Sequence, residues 1–287
     1  MKERSAIGGR LSLRAFFVAV LAFGWQPVEA KRIVALAPSV TETLFAVGAG
    51  ADVVGVSDSS DYPSEAMRID RVGSYLKPNV EAVIAHHPDV VIAVPSPGNR
   101  EAVEGLTDLG LRVVIVEEGP TLAEVYAAIE RIGVESGRST QSRELVERMR
   151  AQVESVRRRV ARAPHRRVLM IVGQNPLIAV GGANLLDELL RIAGAENVAA
   201  QLGRWPRLSV EFLVKSAPDV IIDSSMGDEA AAEPSFYDGL GLRAVTEKRL
   251  HTTRIDEVLR PGPRVGEGLA KLARLIHPDA FAEEATR

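Results

Sequence analysis

The sequence has 287 residues, of which 46% are hydrophobic and 25% are charged, a composition typical of globular proteins. This length predicts about two domains. The formal net charge of -3 gives no reason to expect a nucleic-acid partner, and a chain without cysteine forms no disulfide.

The first thirty residues have the pattern of a secretory signal peptide. Four lysines and arginines within residues 1–14 precede an apolar run over 15–25, which is too short to span a bilayer. Small residues then occur at the usual cleavage spacing in Val28-Glu29-Ala30, so we expect cleavage before Lys31. The alternative is a buried first helix. Because no cysteine is available for lipid modification, we expect a freely diffusing periplasmic protein without stable membrane insertion.

Strand and helix patterns alternate from residue 32 onwards, which predicts an α/β sheet in each half of the chain. β-branched and apolar runs predict strands, and longer periodic stretches predict helices. The predicted strands are 32–36, 53–56, 90–92, 113–116, 167–172 and 220–222, and helices are predicted at 41–48 and 185–193.

A long helix is predicted between the two halves. Its apolar residues recur at spacings of three and four, which places them on one stripe, and the other face is rich in Arg, Glu and Gln. We therefore predict an N-terminal lobe over 31–138, a connecting helix over 139–163 and a C-terminal lobe over 164–287. The stripe consists of Leu145, Met149, Val153, Val156 and Val160.

An internal repeat links the two halves. Residues 79–93 read NVEAVIAHHPDVVIA and residues 209–223 read SVEFLVKSAPDVIID, with an offset of 130 residues. In each copy we predict a capped helix, a proline that ends it and a buried parallel strand. The matched pairs are Val80/Val210, Glu81/Glu211, Pro88/Pro218, Asp89/Asp219, Val90/Val220 and Ile92/Ile222.

The start of each repeated helix carries a cap and an acid. Asn79 and Ser209 can accept a free N–H of the first turn. Glu81 and Glu211 follow in that turn, where a negative charge stabilises the helix end. First-turn stabilisation explains either glutamate alone, whereas two matched copies also indicate a surface that faces a two-fold partner.

Two aromatic residues stand four positions before these caps. Loops at the carboxyl ends of parallel strands are the usual ligand sites of α/β proteins. We therefore predict that Tyr75 and Trp205, one from each lobe, clamp a flat macrocycle. The alternative is that each ring packs into its own lobe.

Two further loops supply polar candidates. Ser59, Asp61 and Tyr62 can line the cleft, although Asp-Tyr-Pro is also an ordinary turn sequence. Arg260 and Arg264 lie in a Pro/Gly-rich loop and can contact propionates, phosphates or amide oxygens, or serve as surface charges.

The sequence does not predict that the protein catalyses a reaction. The five histidines show no metal-ligand spacing, and the sequence lacks a Gly-x-Ser-x-Gly elbow, a P-loop and a Gly-x-Gly-x-x-Gly motif. We expect no resident cofactor, no metal site, no catalytic residue and no enzymatic activity.

Several segments in the predicted order resemble the helical-backbone, or class III, periplasmic solute-binding proteins of ABC importers. The resemblance implies two similar α/β lobes with central parallel sheets, one long backbone helix that joins them and a ligand cleft between them. It also implies that Ser39 or Thr41 caps the first helix. The segments are Leu36–Glu42, Gly55–Pro63, Val72–Tyr75, Pro78–Glu81, Pro88-Asp89 and Trp205–Glu211.

The resemblance also implies a function. A monomer of this family delivers its solute to a homodimeric permease with its ATPase, and Glu81 and Glu211 would face two arginine pockets of that permease. Segments 173–176, 205–206 and 260–264 resemble the cobalamin-binding members, which implies cobalamin or a related corrinoid as ligand.

Other ligands stay open. Tyr75 stands where the cobalamin binders have tryptophan, and haem binders of the class have a tyrosine nearby, so haem with Tyr75 as axial ligand is one alternative. Ferric-siderophore capture through the arginines is another. An alternative of a different class is a secreted enzyme on a duplicated α/β scaffold.

Overall fold

The computed structural model describes residues 31–225 and 234–284. The predicted signal peptide, residues 1–30, lies outside the described residues. The strands are β1 (Ile33–Ala35), β2 (Val53–Val56), β3 (Val90–Ala93), β4 (Val113–Ile115), β5 (Arg166–Gln174), β6 (Leu177–Ala179), β7 (Ala195–Asn197), β8 (Val220–Asp223) and β9 (Leu250–Thr252). The helices are α1 (Pro38–Ala46), α2 (Val80–Ala85), α3 (Arg100–Asp108), α4 (Leu122–Glu135), α5 (Ser139–Val160), α6 (Leu185–Ile192), α7 (Val210–Ser216), α8 (Arg243–Thr246), α9 (Asp256–Leu259) and α10 (Val265–Ile276).

Each lobe is built on its own sheet. The N-terminal sheet has the order β2-β1-β3-β4, and all its strands are parallel. The C-terminal sheet has the order β6-β5-β8-β9, with β7 beside the first part of β5. It is parallel except for β6, which pairs antiparallel with the end of β5. The prediction of two lobes with central parallel sheets is confirmed, and β6 is an addition that we did not predict.

The period of two along the strands divides each sheet between two cores. Ile33 of β1 and Met170 of β5 face a core that both lobes share. Their neighbours Val34 and Leu169 face separate cores, which the outer helices of each lobe cover. Both faces of each sheet are therefore buried, which explains the continuous apolar runs in the sequence.

The helix α5 joins the lobes through the shared core. It spans Ser139–Val160, three residues shorter than predicted, and packs against α4 of the N-terminal lobe and α10 of the C-terminal lobe. All five residues of the predicted apolar stripe are buried in the shared core. A continuous core of this kind resists rigid-body rotation of one lobe against the other, because rotation would expose apolar surface.

The repeat produces the same local structure twice. The Asn79 side chain accepts a hydrogen bond from the backbone N–H of Ala82 at 3.1 Å, and the Ser209 hydroxyl accepts one from Phe212 at 3.1 Å, so both predicted caps are confirmed. The repeated aspartates are equivalent too. Asp89 accepts from the backbone N–H of Arg32 at 2.7 Å, and Asp219 from that of Arg167 at 2.9 Å, which ties each helix–strand turn to the first strand of its lobe.

The first helix begins earlier than predicted, and the cap assigned to Ser39 or Thr41 is wrong. The N-cap is Ala37, with Pro38 in the first turn. A proline suits the first helical position because its φ is already helical and it has no N–H to satisfy. Ser39 and Thr41 therefore lie inside α1, where the Thr41 hydroxyl donates to the Ala37 carbonyl at 3.2 Å and the Ser39 hydroxyl donates to Glu118.

None of the helices within the described ranges has both the length and the apolar character that a membrane span requires.

One buried histidine makes stability depend on pH. His277 is 2% exposed; its Nε2 donates to the Gly194 carbonyl at 3.3 Å, and its Nδ1 has no hydrogen-bond partner among residues 31–225 and 234–284. Burial lowers the pKa of His277 below 6.5, and the nearby Arg166 and His165 act in the same direction. Below about pH 6.5 the unfolded chain therefore binds a proton that the native state resists, so stability falls as pH falls.

We expect the urea midpoint of the protein to decrease between pH 7.5 and pH 5.5, and His277→Gln to reduce that decrease. Glutamine keeps a donor for Gly194 but does not titrate. The matched control is His87→Gln, which changes an exposed histidine of the N-terminal lobe and should leave the slope unaltered. An identical slope in the His277 variant would contradict the explanation.

Candidate functional site

A cavity of about 470 Å³ lies between the lobes, where the strands of both sheets end. The N-terminal lobe contributes the turn 118–120, which follows β4. The C-terminal lobe contributes most of the wall, and that part is largely apolar. Its residues include Val172, Ile178, Leu259, Pro261, Arg204 and Trp205. The position agrees with the general rule that α/β ligand sites form at the carboxyl ends of parallel strands.

Trp205 lies in the wall of this cavity and is half exposed, at 50%. The loop that carries it is held on both sides. The Ala179 backbone N–H donates to the Pro206 carbonyl at 3.1 Å, and the Asn184 side chain donates to the Arg204 carbonyl at 2.9 Å. A large ring fixed in this way and left exposed is available for contact with a flat ligand.

Tyr75 is placed differently. It is half-buried, packs against the shared core and directs its hydroxyl at the Pro95 carbonyl, 3.5 Å away. Burial raises the pKa of Tyr75, and the charge of Glu118 raises it further. Tyr75 is therefore close to Glu118, although it does not line the cavity itself. The structure thus brings Trp205 and Glu118 into one wall and sets Tyr75 beside it.

Glycine at position 73 is required for this arrangement. Its φ is +95°, and a Cβ there would lie 2.7 Å from the backbone nitrogen of Asn79. The turn between β2 and α2 can close only without a side chain at this position.

Glu118 is a site residue that the sequence analysis missed. One carboxyl oxygen, Oε1, accepts a short hydrogen bond from the Ser39 hydroxyl, and none of the described residues forms an ion pair with the carboxylate. Burial raises the pKa of Glu118 to about 7. The available signal was its position two residues after the end of a predicted parallel strand.

The predicted loop residues form what we call the interlobe ion cluster: Glu42, Asp61 and Tyr62 of the N-terminal lobe with Arg260 and Arg264 of the C-terminal lobe. Arg264 donates two hydrogen bonds to the Glu42 carboxylate, each of 2.7 Å, and its guanidinium lies 3.9 Å from the Tyr62 ring centroid. Arg260 donates to both oxygens of Asp61, the longer contact being 3.3 Å. The cluster ties the two lobes together.

Burial and the pairing with Arg264 act in opposite directions on the pKa of Glu42. Burial raises the pKa of Glu42, and the hydrogen bonds and charge of Arg264 offset that rise only in part. The hydrogen bonds to Glu42 raise the pKa of Arg264. Both arginine side chains are 13% exposed and Glu42 is 2% exposed. Their charges are therefore largely satisfied within the protein, and a role of Arg260 and Arg264 in ligand contact stays a prediction.

The remaining predicted loop residue, Ser59, is exposed. Its neighbours are more tightly held: Ser60 hydrogen-bonds Ser57 at 2.8 Å, and Arg71 donates to the carbonyls of both, at 2.8 and 3.0 Å. These bonds fix the loop from which Asp61 and Tyr62 extend. A ligand contact by Ser59 stays a prediction.

The two matched glutamates are both exposed in the first turns of α2 and α7. Glu211 forms an ion pair with Lys215 of the same helix at 3.0 Å. Among the described residues, Glu81 has no ion-pair partner. Their role in docking stays a prediction.

Across residues 31–225 and 234–284, no three His, Cys, Asp or Glu side chains are grouped so that they could hold a metal ion.

Comparison with known proteins assigns the family. A family described as periplasmic binding protein matches residues 33–245. The chain belongs to this family. It is the substrate-binding component of an ABC transporter, which binds a small molecule and has permease and ATPase partners.

Two relatives of this periplasmic binding protein cover most of its length. An ABC transporter substrate-binding lipoprotein of Bacillus subtilis, YvrC, is 33% identical over 261 residues, which is 89% of this chain and 82% of the relative. A vitamin B12-binding protein of Yersinia pseudotuberculosis is 29% identical over 227 residues, which is 78% of this chain and 80% of the relative.

Solved structures of the family share the fold. The periplasmic heme-binding protein RhuT from Roseiflexus sp. RS-1, in apo form, superposes with a TM-score of 0.79 at 24% identity and covers 88% of this chain and 99% of its own. The heme-binding protein BhuT, in complex with two hemes, superposes with a TM-score of 0.76 at 26% identity and covers 87% of this chain and 98% of its own. The expected fold class and family are therefore confirmed.

Proposed function

We propose that this periplasmic binding protein captures cobalamin or a related corrinoid in the interlobe cavity and delivers it to its permease. Two findings support the proposal: the apolar cavity wall that contains the exposed Trp205 ring, and the similarity to a vitamin B12-binding protein. A corrin ring offers a broad apolar face for such a wall, so burial of that face would provide most of the affinity.

The charged residues that line the cavity indicate which class of ligand it favours. Its ionisable wall residues are Glu118 and Arg204. Arg260 and Arg264, which could otherwise neutralise an anionic ligand, are bonded to Glu42 and Asp61. A corrinoid has a periphery of neutral amides, whereas haem has two carboxylates that need cationic or donor partners when buried. Among the described residues, Arg204 is the single cation of this wall and Glu118 would oppose a second carboxylate, so the cavity favours the amide-bearing ligand.

Haem is the second candidate, and the similarity to a protein that holds two hemes favours it. Iron ligation by Tyr75 requires the phenolate form of its side chain. Burial and the Glu118 charge raise the pKa of Tyr75, so they oppose that form in the ligand-free protein. A ferric siderophore is supported less, because the arginines expected to bind it are already paired across the lobes.

We also propose that Glu81 and Glu211 dock onto a homodimeric permease and that the chain acts as a monomer without enzymatic activity. Support for docking comes from the repeat, which sets one exposed glutamate in the same helical turn of each lobe. The absence of a nucleophile elbow or a phosphate-binding loop from the sequence agrees with binding without turnover.

Trp205 provides the test of the binding site. It is the only tryptophan in residues 31–287, so the intrinsic tryptophan fluorescence of that chain reports on the cavity wall. We expect cyanocobalamin to quench this fluorescence. We also expect Trp205→Ala to weaken binding by about 1–3 kcal/mol, because the contact loses both apolar area and ring stacking.

Dissociation constants for the variants are measured by equilibrium dialysis, with bound cobalamin read from its absorbance. Leu202→Ala is the matched control, since Leu202 is similarly exposed, at 45%, but lies outside the cavity wall. Binding of cyanocobalamin by Trp205→Ala with unchanged affinity would reject this site.

A further inference from the structure

Glu118 is the acidic residue in the cavity wall, and its surroundings do not neutralise it. It follows the last strand of the N-terminal sheet and shares the wall with Trp205 and Arg204 of the other lobe. The Arg204 side chain donates to the Ala183 carbonyl at 3.1 Å and forms no ion pair with Glu118 among the described contacts. A carboxyl group in this position faces whatever part of the ligand enters between the lobes.

The hydrogen bonds of Glu118 leave one oxygen available. Oε1 accepts from the Ser39 hydroxyl, which α1 holds in place. Within the described part of the chain, no donor reaches Oε2. Glu118 is only partly buried and lines the cavity, so a donor supplied by a ligand can bond Oε2 in place of solvent.

We propose that Glu118 determines ligand specificity by the charge of the group that the ligand places against it, admitting amides and rejecting carboxylates. This inference rests on the proposed function and extends it to the choice among corrinoids. A primary amide can donate to an ionised carboxylate and can accept from a protonated one. A ligand carboxylate can only accept, and beside an ionised Glu118 it is repelled.

Burial raises the pKa of Glu118 to about 7, so both protonation states occur near neutral pH. An amide is complementary to each state. A carboxylate ligand must instead hold Glu118 protonated, which costs affinity. We therefore expect the protein to bind a corrinoid with intact amides more tightly than one in which the amide facing Glu118 has been hydrolysed.

The test compares cyanocobalamin with each of its isomeric monocarboxylates, in which a different side-chain amide is hydrolysed, and uses the isomer that binds most weakly. At pH 8 we expect the protein to prefer cyanocobalamin over this isomer by about tenfold, because holding a carboxyl group of pKa about 7 protonated one unit above its pKa costs about a factor of ten. Glu118→Gln should reduce this preference to about threefold or less, mainly by improving carboxylate binding. Glutamine keeps an oxygen for the Ser39 hydroxyl, and Glu117→Gln, a change at the exposed neighbour, is the control.

Failure of the proposed function is distinguishable from failure of this inference. If neither corrinoid binds while haemin does, cobalamin is not the ligand, and haemin with its dimethyl ester then forms the charged and uncharged pair. For whichever pair binds, the role of Glu118 would be overturned if the original protein and Glu118→Gln preferred the ligand with fewer carboxylates by the same factor. A loss of preference in Glu117→Gln as large as that in Glu118→Gln would also overturn it.

Discussion

Replacing Arg264 with alanine is expected to lower the free energy of unfolding by about 3–5 kcal/mol, because it leaves a buried carboxylate without its partner. Glu42 is 2% exposed and receives two hydrogen bonds of 2.7 Å from Arg264. Arg260 approaches Glu42 only to 3.9 Å, so it cannot replace the lost bonds without moving. Urea denaturation at neutral pH measures the effect.

The double variant Glu42→Gln/Arg264→Ala should be less destabilised than the sum of the two single changes, because no unpaired charge remains in the interface. Arg254→Ala is the control, since Arg254 forms an ion pair with Asp256 but is 53% exposed. That variant should lose less than about 1 kcal/mol. An Arg264→Ala variant as stable as Arg254→Ala would show that the interlobe ion cluster contributes little.

The second large effect is expected in transport. Glu81→Ala and Glu211→Ala together should abolish transport and permease-stimulated ATP hydrolysis while changing ligand affinity by less than about twofold, because both residues are exposed and lie outside the cavity wall. Among the single variants, Glu81→Ala should have the larger effect. Lys215 already neutralises part of the Glu211 charge at 3.0 Å, whereas Glu81 has no described partner.

Uptake of labelled ligand and the ATPase rate in proteoliposomes measure this prediction. Complex formation should weaken with added salt, since exposed charges act mainly on encounter. Glu101→Ala is the matched control, because Glu101 is also an exposed first-turn glutamate, on α3. Full transport by the double variant would show that the glutamates only stabilise their helices.

The fold followed from local signals in the sequence. β-branched runs predicted the strands that lie in the two sheets, and the caps at Asn79 and Ser209 were predicted because capping depends on residues within one turn. The antiparallel strand β6 was not predicted, since its three residues carry no alternation long enough to recognise.

The cavity could be predicted only in part, because it forms between distant segments. Glu42 and Glu118 look like ordinary surface acids in the sequence, and their burial results from packing of one lobe against the other. The arginines Arg260 and Arg264 were recognised as candidates for the cleft. Their partners, which lie about 200 residues earlier in the chain, could be identified only from the structure.

From the repeat we predicted equivalent roles for one aromatic residue of each lobe, but the two side chains are placed differently. Tyr75 and Trp205 occupy equivalent positions before their caps, yet Tyr75 packs against the core while Trp205 is half exposed. The difference arises from neighbours outside the repeat. Asn99 donates to the Tyr75 carbonyl at 3.2 Å, whereas the Trp205 loop pairs with β6, which the N-terminal lobe lacks.

The most direct test of the account is to incubate residues 31–287, free of ligand, with cyanocobalamin, haemin or a ferric siderophore and to record absorbance after gel filtration. All three ligands are coloured, so the protein fraction shows which one it retains. We predict that cyanocobalamin elutes with the protein at close to one equivalent and that the siderophore does not. Retention of haemin with a tyrosinate-type spectrum, and of no cobalamin, would contradict the proposed function.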